Sequence, residues 1–536
     1  MVLRIVILSF ALQCVPVKSQ DKPKLFIGLV VDQMRQEYLV RYQDHFGEGG
    51  FKRLMDKGFT FQNHHYNYMP TYTAPGHASI YTGTTPAVHG ILANTWFDKK
   101  KQQSHYCVND SNFNTVGDSS TAGKKSAIPL KSSTIGDELK VASAGKSKIF
   151  AVALKDRSAI LPAGHAADGA FWYSNTGKFI SSTYYMKELP TWLSNFNNQE
   201  HPKALLKKNW ELINKKGAYT NSTQDDHPGE GVLDHEDNSF PHDLIKSSQN
   251  LENLGVIKAC PQGNTLTRLI AESLIKNESL GKDEFCDFLS ISFSSIDYIG
   301  HAFGPNSIEM EDAIIRLDKE LEAFLTFLDL SVGENQYTLF LTADHGALQV
   351  PTLLKEYQIP SGLFNHDLRS DLNQYLTKEL DVNNLILAVQ NHQVFFNTEA
   401  IDSSNVNYKQ LSSLVSNYVY KLDGVYKILN KENLLTESYS NGLNALVQKG
   451  FHPQMSGDLW IILEPGWISH ERTGTTHGSP FNYDTHVPLI WYGAGIKTGS
   501  STDRVYITDI APTSSFLIGS PQPNSTEGNI LPIVKN

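Results

Sequence analysis

Cysteine is scarce: the chain has four in 536 residues, none of them in a C-x-x-C pair. That excludes a metal site built on paired thiolates. After removal of an N-terminal leader, Cys107, Cys260 and Cys286 allow at most one disulfide. Basic runs are lacking too. The formal charge is -10, and the densest cationic cluster, Lys99, Lys100 and Lys101, reads as a solvated loop, so no nucleic-acid partner is expected. Glycine-rich nucleotide loops, internal repeats and low-complexity tails are absent. Beyond the N-terminus no apolar stretch reaches about 18 residues, so no membrane span is expected in the mature chain. A monomer is the expectation.

The first residues read as an export signal. Arg4 supplies a short positive region, residues 5–17 are apolar, and Ser19 is a small residue at a plausible cleavage point. A leader over residues 1–19 and a periplasmic or secreted mature protein follow. The rest is 40% hydrophobic and 19% charged over the whole chain, a composition that supports a large ordered globule.

Several segments are continuously apolar: 25–32 (LFIGLVVD), 148–154 (KIFAVAL), 285–293 (FCDFLSISF), 337–342 (YTLFLT) and 487–492 (VPLIWY). Continuous rather than alternating apolarity predicts strands covered on both faces, as in parallel sheets. Helical spacing occupies 266–280 and 308–330, the latter with Ser307 as N-cap and acidic residues in its first turns. The alternation predicts an α/β fold, with a largely parallel central sheet between helical layers. Residues 175–260 and 350–455 are polar and less regular. They are expected to form insertions or a cap on a single catalytic domain spanning 20–536.

Acids and histidines recur just past the apolar strands. Asp32 ends the first. Asp297 and His301 follow FLSISFSSI, Asp344 and His345 follow TLFLTA, and His477 sits in a Gly-Thr-Thr-His-Gly-Ser turn before the last strand. Ligands of open α/β sheets collect at the carboxyl ends of strands, so one pocket can gather all six. Two trios of carboxylate and imidazole suit two zinc ions, each with an open position. An isolated Asp-x-x-x-His is usually unrelated to metal. Repeated placement of such groups at strand ends is harder to explain by packing, because unpaired charges there are costly.

A nucleophile candidate lies in residues 69–79, MPTYTAPGHAS. Thr73 reads as an N-cap with Pro75 in the first turn, and a helix start favours a phosphoryl group. Lys155 and Arg157 follow a strand two residues apart, an arrangement that places both on one side of an extended chain and suits a grip on phosphoryl oxygens. His64, His65, His77, His165 and His486 are read as packing or supporting residues.

The segments VVDQMR, MPTYTAPGHASIYTG, GILAN, LKDRSA, SSIDYIGHAFGP, TADHG and THGSPFNYDTHVPL, in this order, resemble the alkaline phosphatase superfamily, and most closely its PafA-type alkaline phosphatases. The resemblance implies Asp32, Thr73, Asp344 and His345 at one zinc and Asp297, His301 and His477 at the other. It further implies Asn94, Lys155 and Arg157 as phosphate contacts, with hydrolysis of phosphate monoesters through a phosphothreonine at Thr73. In the branch resembled, a lysine does work done elsewhere by magnesium, so magnesium is not expected. The alternative is a phosphodiesterase or nucleotide pyrophosphatase of the same superfamily, from which Lys155 and Arg157 distinguish it. The Cys/Ser-x-Pro-x-Arg frame of sulfatases is absent around Thr73. A catalytically silent binding protein is disfavoured by the complete ligand sets.

Overall fold

A computed structural model describes residues 22–233 and 238–534. The expected leader at 1–19 lies outside the described residues. Ten strands form the central sheet: β1 (Leu25–Val31), β2 (Phe59–His65), β3 (Thr115–Val116), β4 (Ile149–Ala153), β5 (Gly169–Ser174), β6 (Lys178–Ser182), β7 (Asp287–Phe293), β8 (Tyr337–Thr342), β9 (Leu489–Gly493) and β10 (Gly499–Tyr506). Their order across the sheet is β10-β2-β9-β8-β1-β7-β4-β5-β6-β3.

The middle of the sheet is parallel. Strand β1 pairs in parallel with β8 and β7, β7 with β4, and β4 with β5. Every residue of β1, β4, β7 and β8 is buried, which is what an apolar run needs when helices cover both faces. Removing one such Leu, Ile or Phe side chain from water stabilises the fold by about 1.5–3 kcal/mol.

Strand β9 departs from the parallel expectation: it runs antiparallel to both β8 and β2. Burial on two faces makes a strand apolar whatever its direction, so the run at 487–492 could not report orientation. The helices Gln262–Asn277 and Ile308–Leu328 match the helical spacing, and the Ser307 side chain accepts a hydrogen bond from the Met310 amide at the N-terminus of the second. Among the described residues, no helix is long and apolar enough to cross a membrane.

Residues 350–455 are more ordered than their polar composition suggests. Together with the chain as far as Leu463 they build a four-stranded antiparallel sheet, ordered Ile386–Gln390, Gln393–Phe396, Leu459–Leu463, Val425–Asn430. Helices Leu368–Leu380 and Tyr408–Val419 bury Leu372, Leu376, Leu411 and Val415 in a core of its own. This lobe touches the main body beside the strand-end loops, where Asn391 Nδ2 donates to the Thr95 carbonyl at 2.8 Å. Residues 175–260 contribute β6 and then short helical turns. Cys107, Cys260 and Cys286 are all buried and unpaired.

Candidate active site

The carboxyl ends of β1, β7 and β8 are adjacent, and they bring Asp32, Asp297 and Asp344 together. The helix Thr73–Thr82 starts beside them. Its ten residues are all buried, so packing rather than an apolar stripe holds it. Gly76 lets it approach closely: a Cβ there would stand 2.4 Å from the Asp344 carbonyl oxygen.

Thr73 is the first helical residue, and Tyr72 is the N-cap, correcting the expected register by one. The Thr73 hydroxyl is therefore not spent on capping. It lies 3.4 Å from His345 Nε2. The Ala74 amide donates to Asn94 Oδ1 at 2.9 Å, which ties Asn94 to the helix start.

The imidazoles share one pattern. Nδ1 of His301, His345 and His477 lies 2.8, 2.9 and 2.7 Å from the carbonyl oxygens of Thr475, Gly346 and Thr71. A carbonyl only accepts, so each Nδ1 is the donor and each Nε2 is the nitrogen turned toward the carboxylates, where a cation would be bound. Nε2 of His345 is 3.5 Å from Asp32 Oδ1 and 3.6 Å from Asp344 Oδ2. Nε2 of His477 is 3.7 Å from Asp297 Oδ1, and that of His301 is 3.2 Å from the same oxygen.

Two groupings have the spacing to hold a cation: Asp32, Asp344 and His345, and Asp297, His345 and His477. His345 thus belongs to both, and its ring stacks on His477 with centroids 3.5 Å apart. His301 stands beside the second grouping, next to Asp297 and with its ring centroid 5.1 Å from that of His477. All seven residues expected as ligands lie close together at the carboxyl edge of the sheet.

The residues fit divalent cations. Asp32, Asp344 and His345 are fully buried, yet neither Asp32 oxygen nor Asp344 Oδ2 has an aligned hydrogen-bond donor. Lys155 Nζ is 2.7 Å from Asp32 Oδ2 and also pairs with Asp297. One ammonium does not balance three carboxylates. Burial, reinforced by the neighbouring Asp297, raises Asp32 although Lys155 opposes it, and burial with the Asp32 charge raises Asp344 well above the carboxylate range. Burial acts on Asp297 in the same direction, but His301 and Lys155 outweigh it and hold that carboxyl well below its ordinary value. Burial lowers His345 strongly and His477 to about 3, so both are neutral.

Lys155 and Arg157 do not share one side of an extended chain. Lys155 is the N-cap residue of the helix Asp156–Ala163, and Arg157 falls in its first turn. The turn of the backbone sends Lys155 to the carboxylates, whereas Arg157 Nη1 donates to the Tyr106 hydroxyl oxygen at 3.2 Å.

Reading the sequence missed several supporting residues. Gln33 donates from Nε2 to Asp297 Oδ1 at 2.8 Å and from its backbone amide to Asp344 Oδ1 at 3.1 Å. Its position next to Asp32 was the available signal. Tyr106, which donates to Asp156, offered none. His77 braces the helix start through the Thr73 carbonyl and Ser292, while His165 and His486 bond Ser132 and Gln62 carbonyls away from the carboxylates.

A family model described as type I phosphodiesterase / nucleotide pyrophosphatase matches residues 26–487. Alkaline phosphatase PhoV of Synechococcus elongatus is 41% identical, covering 95% of this chain and 92% of that protein. Alkaline phosphatase PafA of Elizabethkingia meningoseptica is 40% identical, covering 98% of this chain and 97% of that one. The crystal structure of wild-type PafA superposes with a TM-score of 0.93 at 39% identity, over 96% of this chain and 99% of that chain. The chain belongs to the PafA-like alkaline phosphatases. A PafA-like fold accounts for the mostly parallel sheet and for the clustering of acids and histidines at its carboxyl edge, and members of this superfamily depend on metal.

Proposed function

We propose that the protein is an exported phosphatase that hydrolyses phosphate monoesters with two zinc ions and a phosphothreonine intermediate at Thr73. The observation that carries this reading is the buried Thr73 hydroxyl at a helix N-terminus, 3.4 Å from an imidazole shared by two carboxylate groupings.

Asp32, Thr73, Asp344 and His345 would hold one ion, and Asp297, His301 and His477 the other. Zinc bound there would supply Lewis-acid stabilisation of charge on the entering and leaving oxygens. The chain does the rest. Thr73 Oγ1, its proton given up to solvent, attacks phosphorus in line, its new bond forming as the bond to the alcohol oxygen breaks; that oxygen takes up a proton from solvent to leave as the alcohol, and water later cleaves the phosphothreonine to release phosphate and return the proton to Thr73. With its carbonyl committed to the Ala74 amide, Asn94 offers its amide NH2 to a phosphoryl oxygen. Arg157 has no carboxylate in ion-pair contact among the described residues, so its charge is free for the non-bridging oxygens. Lys155 keeps Asp32 and Asp297 ionised and aimed inward.

The lobe of residues 350–455 covers the His477 side as a cap, leaving a cavity of about 310 Å³ lined in part by Tyr72, Phe364, Trp467, His477 and Phe481. The matching phosphodiesterase family description keeps diester cleavage as the second reading.

Purified protein should release phosphate from phenyl phosphate, lose that activity to a chelator, and regain it with zinc at about two ions per chain. Full activity in protein shown to lack transition metal would contradict the proposal.

A further inference from the structure

We propose that a cavity beside the phosphoryl site binds a second phosphoryl group, with Lys125 and Lys258 as its specificity-determining residues. The inference rests on the monoesterase reading above and narrows its substrate class. The cavity has a volume of about 480 Å³, and its walls include Lys125, Asp156, Arg157, Asn175, Lys258 and Tyr298.

The charge balance of its walls points to an anion. Lys155 also reaches this cavity, but its charge is committed to Asp32 and Asp297. Asp156 is the only carboxylate among the lining residues. It already accepts from the Tyr106 hydroxyl and from the Arg157 amide, and it stands 3.7 Å from Lys125 Nζ. Lys258 Nζ donates to a neutral partner, Asn175 Oδ1, at 2.8 Å, and lies 5.7 Å from the Tyr173 ring centroid. No carboxylate is in ion-pair contact with Lys258 among the described residues. Lys125 Nζ donates to the neutral Asn109 Oδ1 at 3.1 Å and lies 4.5 Å from the Tyr106 ring centroid.

Three cations, Lys125, Arg157 and Lys258, therefore share one carboxylate. Because Arg157 also serves the phosphoryl group at Thr73, Lys125 and Lys258 are the two cations left to the cavity; their excess over Asp156 favours an anion, and a phosphoryl group offers them more acceptor oxygens than a carboxylate. Placing an ammonium in a protein wall without an anion is unfavourable. Its mark is visible at Lys258, where burial, with help from Arg157 and Lys155 and against Asp156, lowers the ammonium to about 8. An anion in the cavity relieves that cost.

Arg157 connects the two sites, since it is the expected phosphate contact and also lines this cavity. A phosphoryl group here and one at Thr73 can thus belong to one short molecule, or the second can be free inorganic phosphate. The chemistry is the same, and experiment separates the sources.

The test uses zinc-loaded enzyme and compares kcat/KM for alkanediol bisphosphates of increasing chain length with the matching alkyl monophosphates. If the second group comes from the substrate, wild type favours one bisphosphate length by roughly tenfold beyond the statistical factor. Lys258→Met then removes most of that preference, Lys258→Arg restores it, and added salt erodes it. If the source is free phosphate, inhibition by inorganic phosphate shows a non-competitive component in wild type that Lys258→Met removes. Should Lys258→Met fail to fold, Lys125→Met reads the same ratios. No bisphosphate preference together with purely competitive phosphate inhibition overturns the proposal, as does either effect persisting unchanged in both variants. Failure to turn over the monophosphates at all would count against the monoesterase reading instead.

Discussion

Thr73 Oγ1 stands 3.4 Å from His345 Nε2, and the same nitrogen is 3.5 Å from Asp32 and 3.6 Å from Asp344. A hydroxyl so placed is poised to share whatever cation those three residues bind. Thr73→Ala should therefore lower kcat by about a thousandfold or more, with the fold intact, because only a hydroxyl and a methyl are removed from a helix that packing secures. Acid quenching during turnover of a radiolabelled monoester should leave label on the Thr73 peptide in wild type and none in the variant. Undiminished turnover by Thr73→Ala would remove covalent catalysis from the mechanism.

Lys155 stabilises the site before any ion arrives. It is 3% exposed and lies between Asp32 and Asp297, so deleting its ammonium leaves buried carboxylates without a counter-charge. Lys155→Met should destabilise chelator-treated protein by about 3–5 kcal/mol, the range for breaking a buried pair from one side. Zinc should shrink that difference, since its charge substitutes for the lost one. Denaturant unfolding of both proteins, with chelator and with zinc, checks this. An equal deficit in both conditions would show that Lys155 acts by packing.

Tyr106 positions Arg157 from a distance in sequence. Its hydroxyl bridges Asp156 and Arg157, and removing it leaves the guanidinium free to swing. Tyr106→Phe should cut kcat/KM for monoesters by roughly three- to tenfold, the value of one lost hydrogen bond, while the response to zinc stays as in wild type. A change in zinc affinity larger than the change in kcat/KM would place Tyr106 in the metal site instead.

What the sequence disclosed and what it hid follow from local versus distant causes. Strands β1, β4, β7 and β8 are apolar because both their faces are covered, and that signal is local. Strands β2 and β10 carry polar residues such as Gln62 and Asp503 toward the sheet edge and escaped notice. The lobe around Leu372 and Val415 was also obscured, since its helices and its outer strands, Ile386–Gln390 and Val425–Asn430, are only partly buried and carry polar residues. At the site, residues directly after strands were legible because chain geometry delivers them to the sheet edge. The closeness of His345 to both groupings, the turn that separates Lys155 from Arg157, and the reach of Tyr106 across the loops depend on three-dimensional placement that spacing does not encode.

Preference for monoesters over diesters is the central claim, and it follows from charge. A monoester above its second pKa, about 6, carries close to two negative charges, and a diester carries one. Lys155 is already partnered by carboxylates and Arg157 is not, so a diester leaves cationic charge near Arg157 uncompensated in a water-poor pocket. The measurement is kcat/KM for phenyl phosphate and methyl phenyl phosphate, in wild type and in the Lys155→Ala/Arg157→Ala double variant, with zinc saturating. Wild type should favour the monoester by about a hundredfold or more, and the double variant should lose more on the monoester than on the diester. A wild type faster on the diester, or equal losses on the two substrates, would contradict the account and place the protein with the phosphodiesterases.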